Sequence, residues 1–138
     1  TKQIARIFLE RILKNSNKKN CATVIALSGD LGVGKTAFTQ FIGKKLGIKY
    51  KITSPTFVIL KKYPVKNSKV YEQMIHIDAY RLNGEKDLMN LKWGEIVNNN
   101  KNLILVEWPE NVAKVIPKDA TYVYISHEGK DKRKFKLK

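Results

Sequence analysis

The sequence predicts an α/β fold in three layers, a sandwich whose mixed, mainly parallel central sheet lies between flanking helices. Three observations predict it. Residues 29 to 36 read Gly-Asp-Leu-Gly-Val-Gly-Lys-Thr, a G-x-x-x-x-G-K-T phosphate loop. The apolar run Val24-Ile25-Ala26-Leu27 precedes the loop and an amphipathic stretch beginning Ala37-Phe38 follows it, so strand, glycine loop and helix come in the order of a P-loop nucleoside triphosphatase. The most apolar run in the chain, Leu103 to Val106, ends on Glu107, as a buried strand carrying an acid at its carboxyl end does.

The remaining elements follow along the chain. Ile4, Ile7, Phe8 and Ile12 fall at helical spacing, and the polar stretch from Asn15 to Asn20 ends that first helix. Val24 to Leu27 is short, apolar and partly β-branched, which suits a buried parallel strand. Phe38, Phe41, Ile42, Lys45 and Leu46 lie at helical spacing with Gly47 as the cap. Ser54-Pro55-Thr56 marks an extended turn, because the residue before a proline avoids the helical region. A strand through Phe57 to Leu60, a turn over Pro64 to Lys69 and a return strand from Val70 to Asp78 predict a β-hairpin inserted early in the sheet. Leu88, Leu91, Trp93, Ile96 and Val97 suit one or two short helices, and the Asn-rich residues 98 to 102 a surface loop. Residues 120 to 126 and 133 to 137 read as two last strands joined by a Glu128-Gly129-Lys130-Asp131 turn. With no internal repeat and no dividing linker, residues 1–138 are expected to form one domain.

Composition narrows the setting. The 27 Lys and Arg against 12 Asp and Glu give a net charge of +15, a field that attracts nucleic acid or an acidic partner. The excess is mostly Lys and is accompanied by Asn runs, which fits a genome biased toward Lys and Asn codons equally well; the local clusters are Lys18-Lys19, Lys61-Lys62 and the tail from Lys130 to Lys138. No apolar run reaches transmembrane length and no export signal is visible. The lone Cys21 excludes an internal disulfide and a cysteine-based zinc site, and a cytoplasmic location is expected.

The loop's chemistry sets what else the site needs. Backbone amides curl around the phosphates, Lys35 reaches the β- and γ-phosphates, and the Thr36 hydroxyl ligates Mg²⁺. An acid at the carboxyl end of a neighbouring strand must then complete the metal site. Glu107, after the cleaner apolar run, is assigned to the metal, and Asp78 to positioning or activating the attacking water; the two roles are interchangeable at this level. His76 shares the strand face of Asp78 and is read as a structural histidine.

Taken together, these segments resemble a known family. Gly29 to Thr36, Ser54-Pro55-Thr56-Phe57, His76-x-Asp78-x-Tyr80-Arg81-Leu82 and Leu105-Val106-Glu107-Trp108-Pro109 occur in the order and spacing of the bacterial TsaE family, over nearly the whole chain. The resemblance implies a small Mg²⁺-dependent ATPase required for threonylcarbamoylation of adenosine 37 in tRNAs reading ANN codons. It implies a helper that binds a TsaD/TsaB pair and hydrolyses ATP to sustain their turnover, touching tRNA indirectly or weakly. It also implies that Ser54-Pro55-Thr56 is switch-like. Leu31, Gly32, Val33, Gly34, Lys35 and Thr36 would hold the nucleotide phosphates, with Ala37 also at the nucleotide, Thr36 and Glu107 would hold the metal, Thr1 would lie near the base, and Arg133 would reach the nucleotide from the carboxyl end.

Two other functions are open to a chain of this kind. A P-loop followed by D-x-Y-R suits a small-molecule kinase, although 138 residues leave little chain for an arginine-bearing lid and an acceptor pocket. The charge alone suits a non-enzymatic RNA-binding module, but no recognised RNA-binding signature accompanies it.

Overall fold

A computed structural model describes residues 2–15, 20–30, 32–55, 59–66, 68–130 and 132–138, apart from the side chain of Asn15. Thr1, Lys18-Lys19, Leu31, Thr56 to Val58 and Asp131 lie outside the described residues, and with them part of the expected second strand.

Strands with apolar side chains on both faces can be buried only between two covering layers, and such strands form the centre of the sheet. The strands are β1 (Thr23–Ser28), β2 (Leu60–Pro64), β3 (Gln73–Asp78), β4 (Asn102–Glu107), β5 (Thr121–Glu128) and β6 (Lys132–Leu137). Their order across the sheet is β2-β3-β4-β1-β5-β6. The pairs β3/β4, β4/β1 and β1/β5 are parallel, while the two edge pairs β2/β3 and β5/β6 are antiparallel hairpins.

The period-two alternation divides the core cleanly. Ile25, Leu27, Leu103, Leu105 and Met74 face one layer, with Phe8 and Ile12 of α1 (Lys2–Asn15) and Phe38 and Ile42 of α2 (Lys35–Lys45). Val24, Ile104, Val106, Ile75 and Ile77 face the other, with Leu88 of α3 (Glu85–Met89), Trp93 and Ile96 of α4 (Trp93–Val97), and Val112 of a 3₁₀ helix (Pro109–Val115). Each fully buried side chain of this kind contributes about 1.5–3 kcal/mol relative to exposure. The three-layer expectation therefore holds, with the hairpin expected early in the sheet forming the β2/β3 edge.

Several local expectations are corrected. The buried stripe of α1 is Ala5, Phe8, Leu9 and Ile12, whereas Ile7 is 53% exposed: these four positions recur at spacings of three and one, which set them on one face of the helix turned to the core. The second strand begins only at Leu60, since Ile59 has φ of 67° and leaves the extended region. It runs through Pro64, expected in the turn, because an edge strand tolerates a residue without an N–H donor. The return strand starts at Gln73 rather than Val70: the Ser68 hydroxyl accepts from the Val70 and Tyr71 N–H groups, which winds these residues into a turn and lets the buried Tyr71 hydroxyl reach Thr23 Oγ1 at 2.7 Å. Asn102, expected in a surface loop, is buried at the start of β4, where its amide donates to Ile96 O at 3.0 Å.

The cap of α2 follows the expectation from Gly47. Its N–H donates to Lys44 O at 3.1 Å and that of Ile48 to Gly43 O at 3.0 Å, the paired closing bonds of a Schellman motif. The helix thus leaves the sheet where its glycine permits. Among the described residues no helix is long and apolar enough to cross a membrane.

Candidate functional site

β1 ends at Ser28, the chain turns through the glycine loop, and α2 begins at Lys35, so the loop's amides lie at a helix N-terminus. The adjacent strands end level with it. Asp78 and Glu107 are register partners at the carboxyl ends of β3 and β4, and Glu107 is also paired with Leu27 of β1. The parallel register therefore delivers both acids to one end of the sheet, on the face that α2 covers, as ligand sites of open α/β sheets require.

A cleft of about 410 Å³ results, lined by Gly32, Gly34, Lys35, Thr36, Ala37, Ser54, Asp78, Tyr80, Glu107 and Trp108. Six residues assigned to the nucleotide or its metal (Gly32, Gly34, Lys35, Thr36, Ala37 and Glu107) thus share one cavity with Asp78. Val33 does not line it; its side chain is 1% exposed in the core, leaving only its backbone to the loop. Arg133 lines a neighbouring cleft of about 320 Å³ with Lys2 and Phe41, and the two clefts share Gly34 and Ala37. Thr1 and Leu31 lie outside the described residues.

Each acid is held by its own partners. Asp78 Oδ2 accepts from the Ser54 hydroxyl at 2.8 Å and Oδ1 from the Tyr80 N–H at 3.0 Å, which fixes the carboxylate plane. Glu107 Oε2 lies 2.6 Å from His76 Nε2. A carboxylate only accepts, so His76 Nε2 is the donor of this contact, while His76 Nδ1 is buried without a hydrogen-bond partner among the described residues. His76, read from the sequence as structural, contacts Glu107 directly.

Lys35 is 5% exposed; its ammonium donates to Gly29 O and lies 3.8 Å from the centroid of the Trp108 ring. Burial lowers its pKa from 10.5, while the charges of Glu107, Asp78, Glu110 and Asp30 pull it back up. With the folded pKa below the unfolded one, the unfolded chain binds more protons between the two, so Lys35 makes stability rise with pH in the alkaline window below 10.5. Lys35→Met is expected to lack that rise when urea unfolding is followed across the window, and a wild-type slope in the variant would contradict this account.

Two parts of the site escaped the sequence. Trp108 covers Lys35 and packs on Tyr80 at 5.1 Å between centroids; its φ of 58° turns the chain sharply into the 3₁₀ helix. Glu110 in that helix accepts from the Ser28 hydroxyl beside the loop. Pro109 followed by an acid is a helix-start signal that marks the turn, but only the fold brings it over Ser28.

A family model described as threonylcarbamoyl adenosine biosynthesis protein TsaE matches residues 1–135. The tRNA threonylcarbamoyladenosine biosynthesis protein TsaE of Borreliella burgdorferi is 36% identical over 99 residues, 72% of this chain and 69% of that protein. Its counterpart from Bacillus subtilis is 34% identical over 110 residues, 80% of this chain and 65% of that protein, so the matched stretch spans about two thirds of these relatives. For Rickettsia bellii the figures are 33% over 134 residues, 96% and 84%. The crystal structure of Bacillus subtilis YdiB superposes with a TM-score of 0.69 at 25% identity, covering 98% of this chain and 78% of that one. With a P-loop nucleoside triphosphatase fold and a family match over residues 1–135, this chain belongs to the TsaE family of tRNA threonylcarbamoyladenosine biosynthesis.

Proposed function

We propose that this chain is a cytoplasmic, Mg²⁺-dependent ATPase that supports threonylcarbamoylation of adenosine 37 in tRNAs reading ANN codons, as the helper of a TsaD/TsaB pair rather than as the transferase. The observation that carries the reading is the convergence of Lys35, Thr36, Asp78 and Glu107 on one cleft at the loop. The neighbouring cleft, bounded by Phe41 and Arg133 and joined at Gly34 and Ala37, leaves room for the nucleoside once the phosphates occupy the first. Arg133 lies against the loop, its Nε 3.3 Å from where a Cβ on Gly34 would stand.

The donor set suits Mg²⁺. The Thr36 hydroxyl and the Glu107 carboxylate are hard oxygen donors in the same cleft, and a few such ligands beside substrate phosphates are what this ion takes. When bound it would supply charge neutralisation between the β- and γ-phosphates. The chain's own residues do the rest. Loop amides and Lys35 hold the phosphates, and Asp78, locked by Ser54 and Tyr80, holds the attacking water in line. His76 keeps Glu107 turned toward the cleft.

Among the described residues no arginine lines the phosphate cleft, so charge developing in the transition state meets Lys35 as its one cationic side chain there. Slow intrinsic turnover that rises when partners order the site is the expected result. Phosphate release from Mg-ATP, measured with and without the TsaD/TsaB pair, tests it: equal rates would remove the helper role. Label from γ-labelled ATP appearing on nucleosides or sugars would instead establish a kinase.

A further inference from the structure

The phosphate site leaves unused a row of lysines on the last ribbon of the sheet. In the β5/β6 register Tyr124 pairs with Lys136, Ser126 with Lys134 and Glu128 with Lys132. Tyr122 exchanges both backbone hydrogen bonds with Lys138. Register partners point to the same side of a sheet, and side chains alternate along each strand, so Tyr122, Tyr124, Lys132, Lys134 and Lys136 share one face. The opposite face carries Phe135 and Leu137, packed on the core, and Arg133 at the loop.

The lysine face is open. Lys132, Lys134 and Lys136 are exposed, Tyr124 is 37% exposed and Tyr122 is half-buried. The helices of that layer cover the central strands instead. The two tyrosine rings are nearly parallel, at 18° with 5.9 Å between centroids. Among the described residues, Glu128, opposite Lys132, and Glu110, whose charge reaches Tyr122, bear on this face. A row of edge lysines by itself protects a sheet edge from pairing with another chain. Edge protection has no use for an aromatic pair beside the row, whereas binding of unpaired nucleic acid uses both: aromatic faces for bases and a cationic track for phosphates.

We propose that the Tyr122, Tyr124, Lys134 and Lys136 face of this ribbon binds an unpaired segment of RNA, its bases stacking on the tyrosines and its phosphates on the lysines. The surface lies close to the phosphate loop. Tyr124 is the register partner of Ser28, the residue before Gly29, so bound RNA would sit beside the start of the loop, on the face of the sheet turned away from α2 and the cleft. The proposal stands independently of ATP hydrolysis.

Fluorescence anisotropy with a labelled single-stranded RNA 12-mer and an unmodified tRNA transcript, over a range of salt, tests it. The Lys134→Glu/Lys136→Glu variant is expected to bind RNA about tenfold or more weakly and to lower the salt slope by one to two, at about 0.7 for each phosphate that the variant no longer neutralises. Tyr124→Ala is expected to weaken binding about fivefold or more with the salt slope unchanged, and Tyr124→Phe to retain it. The exposed pair Lys49→Glu/Lys51→Glu makes the same change in net charge elsewhere and is expected to bind like wild type. The proposal is overturned if that control loses as much affinity, if Tyr124→Ala binds like wild type while its circular dichroism is native, or if polyglutamate competes with RNA at equal charge concentration, which would mark an acidic protein as the occupant.

Discussion

Lys35→Ala is expected to reduce ATP hydrolysis by about a hundredfold or more, the cost of removing one preorganised group from developing charge, while leaving the fold intact. Both halves follow from where the side chain sits. It is the cation that lines the phosphate cleft, with its ammonium between the Gly29 carbonyl and the Trp108 ring. Its charge is held against burial, as the lowered pKa records, so deleting it relieves an unfavourable desolvation while removing the bond to Gly29 and the packing on Trp108. Phosphate release and urea unfolding measured on the same preparation check both parts. Undiminished hydrolysis by a folded variant would refute the assignment of this cleft.

Gly29→Ala is expected to cost about 2 kcal/mol or more of stability, read as a fall in Tm of about 5 °C or more, and to impair nucleotide binding with it. A Cβ on Gly29 would stand 2.4 Å from the Ile125 carbonyl oxygen and 2.8 Å from Val33 Cγ2, at φ of 155°. The first obstacle is backbone of β5 and cannot swing aside. The loop must move off the sheet, carrying the Gly29 carbonyl that Lys35 contacts. Gly32→Ala is the informative comparison, since among the described residues no atom beyond its chain neighbours lies within 4 Å of its added Cβ, while the φ of 79° opposes it, a cost of about 1–2 kcal/mol. Thermal unfolding of the two variants separates close approach from backbone strain; equal losses would show that the approach to β5 does not matter.

The glycine loop was legible because its spacing is local: loop, strand before and helix after are contiguous in the chain, and the backbone conformations they need are written in residue type. The central strands were legible for a related reason, since β1 and β4 are buried on both faces and read as unbroken apolar runs. Boundaries at the sheet edges were less so. Pro64 and Tyr71 carry turn and strand signals that side-chain bonds from Ser68 and pairing with Gln73 override. The short 3₁₀ helix after Trp108 went unanticipated because seven residues with a break at Val112 carry no periodicity to detect.

The candidate acids, too, were picked out by their place after apolar runs, and the structure sets Asp78 and Glu107 side by side in register. Their orientation could not be read. The bonds from Ser54 to Asp78 and from His76 to Glu107 join residues 24 and 31 positions apart, and nothing in local sequence encodes a hydrogen bond across strands. The same holds for the Lys-Tyr face: the sequence shows a basic tail, while only the antiparallel register reveals that its lysines stand beside Tyr122 and Tyr124.

By itself, then, the sequence determined the layered α/β class, the phosphate loop with Lys35 and Thr36, and the family, all of which rest on short-range spacing and on apolar periodicity. Only the tertiary structure decided how Trp108 and Glu110 close around the loop, which partners lock each carboxylate, and which side of the last ribbon stays open. Those features depend on parallel crossovers and strand register, where residues distant in the chain meet because burying two faces of one sheet leaves them no other arrangement.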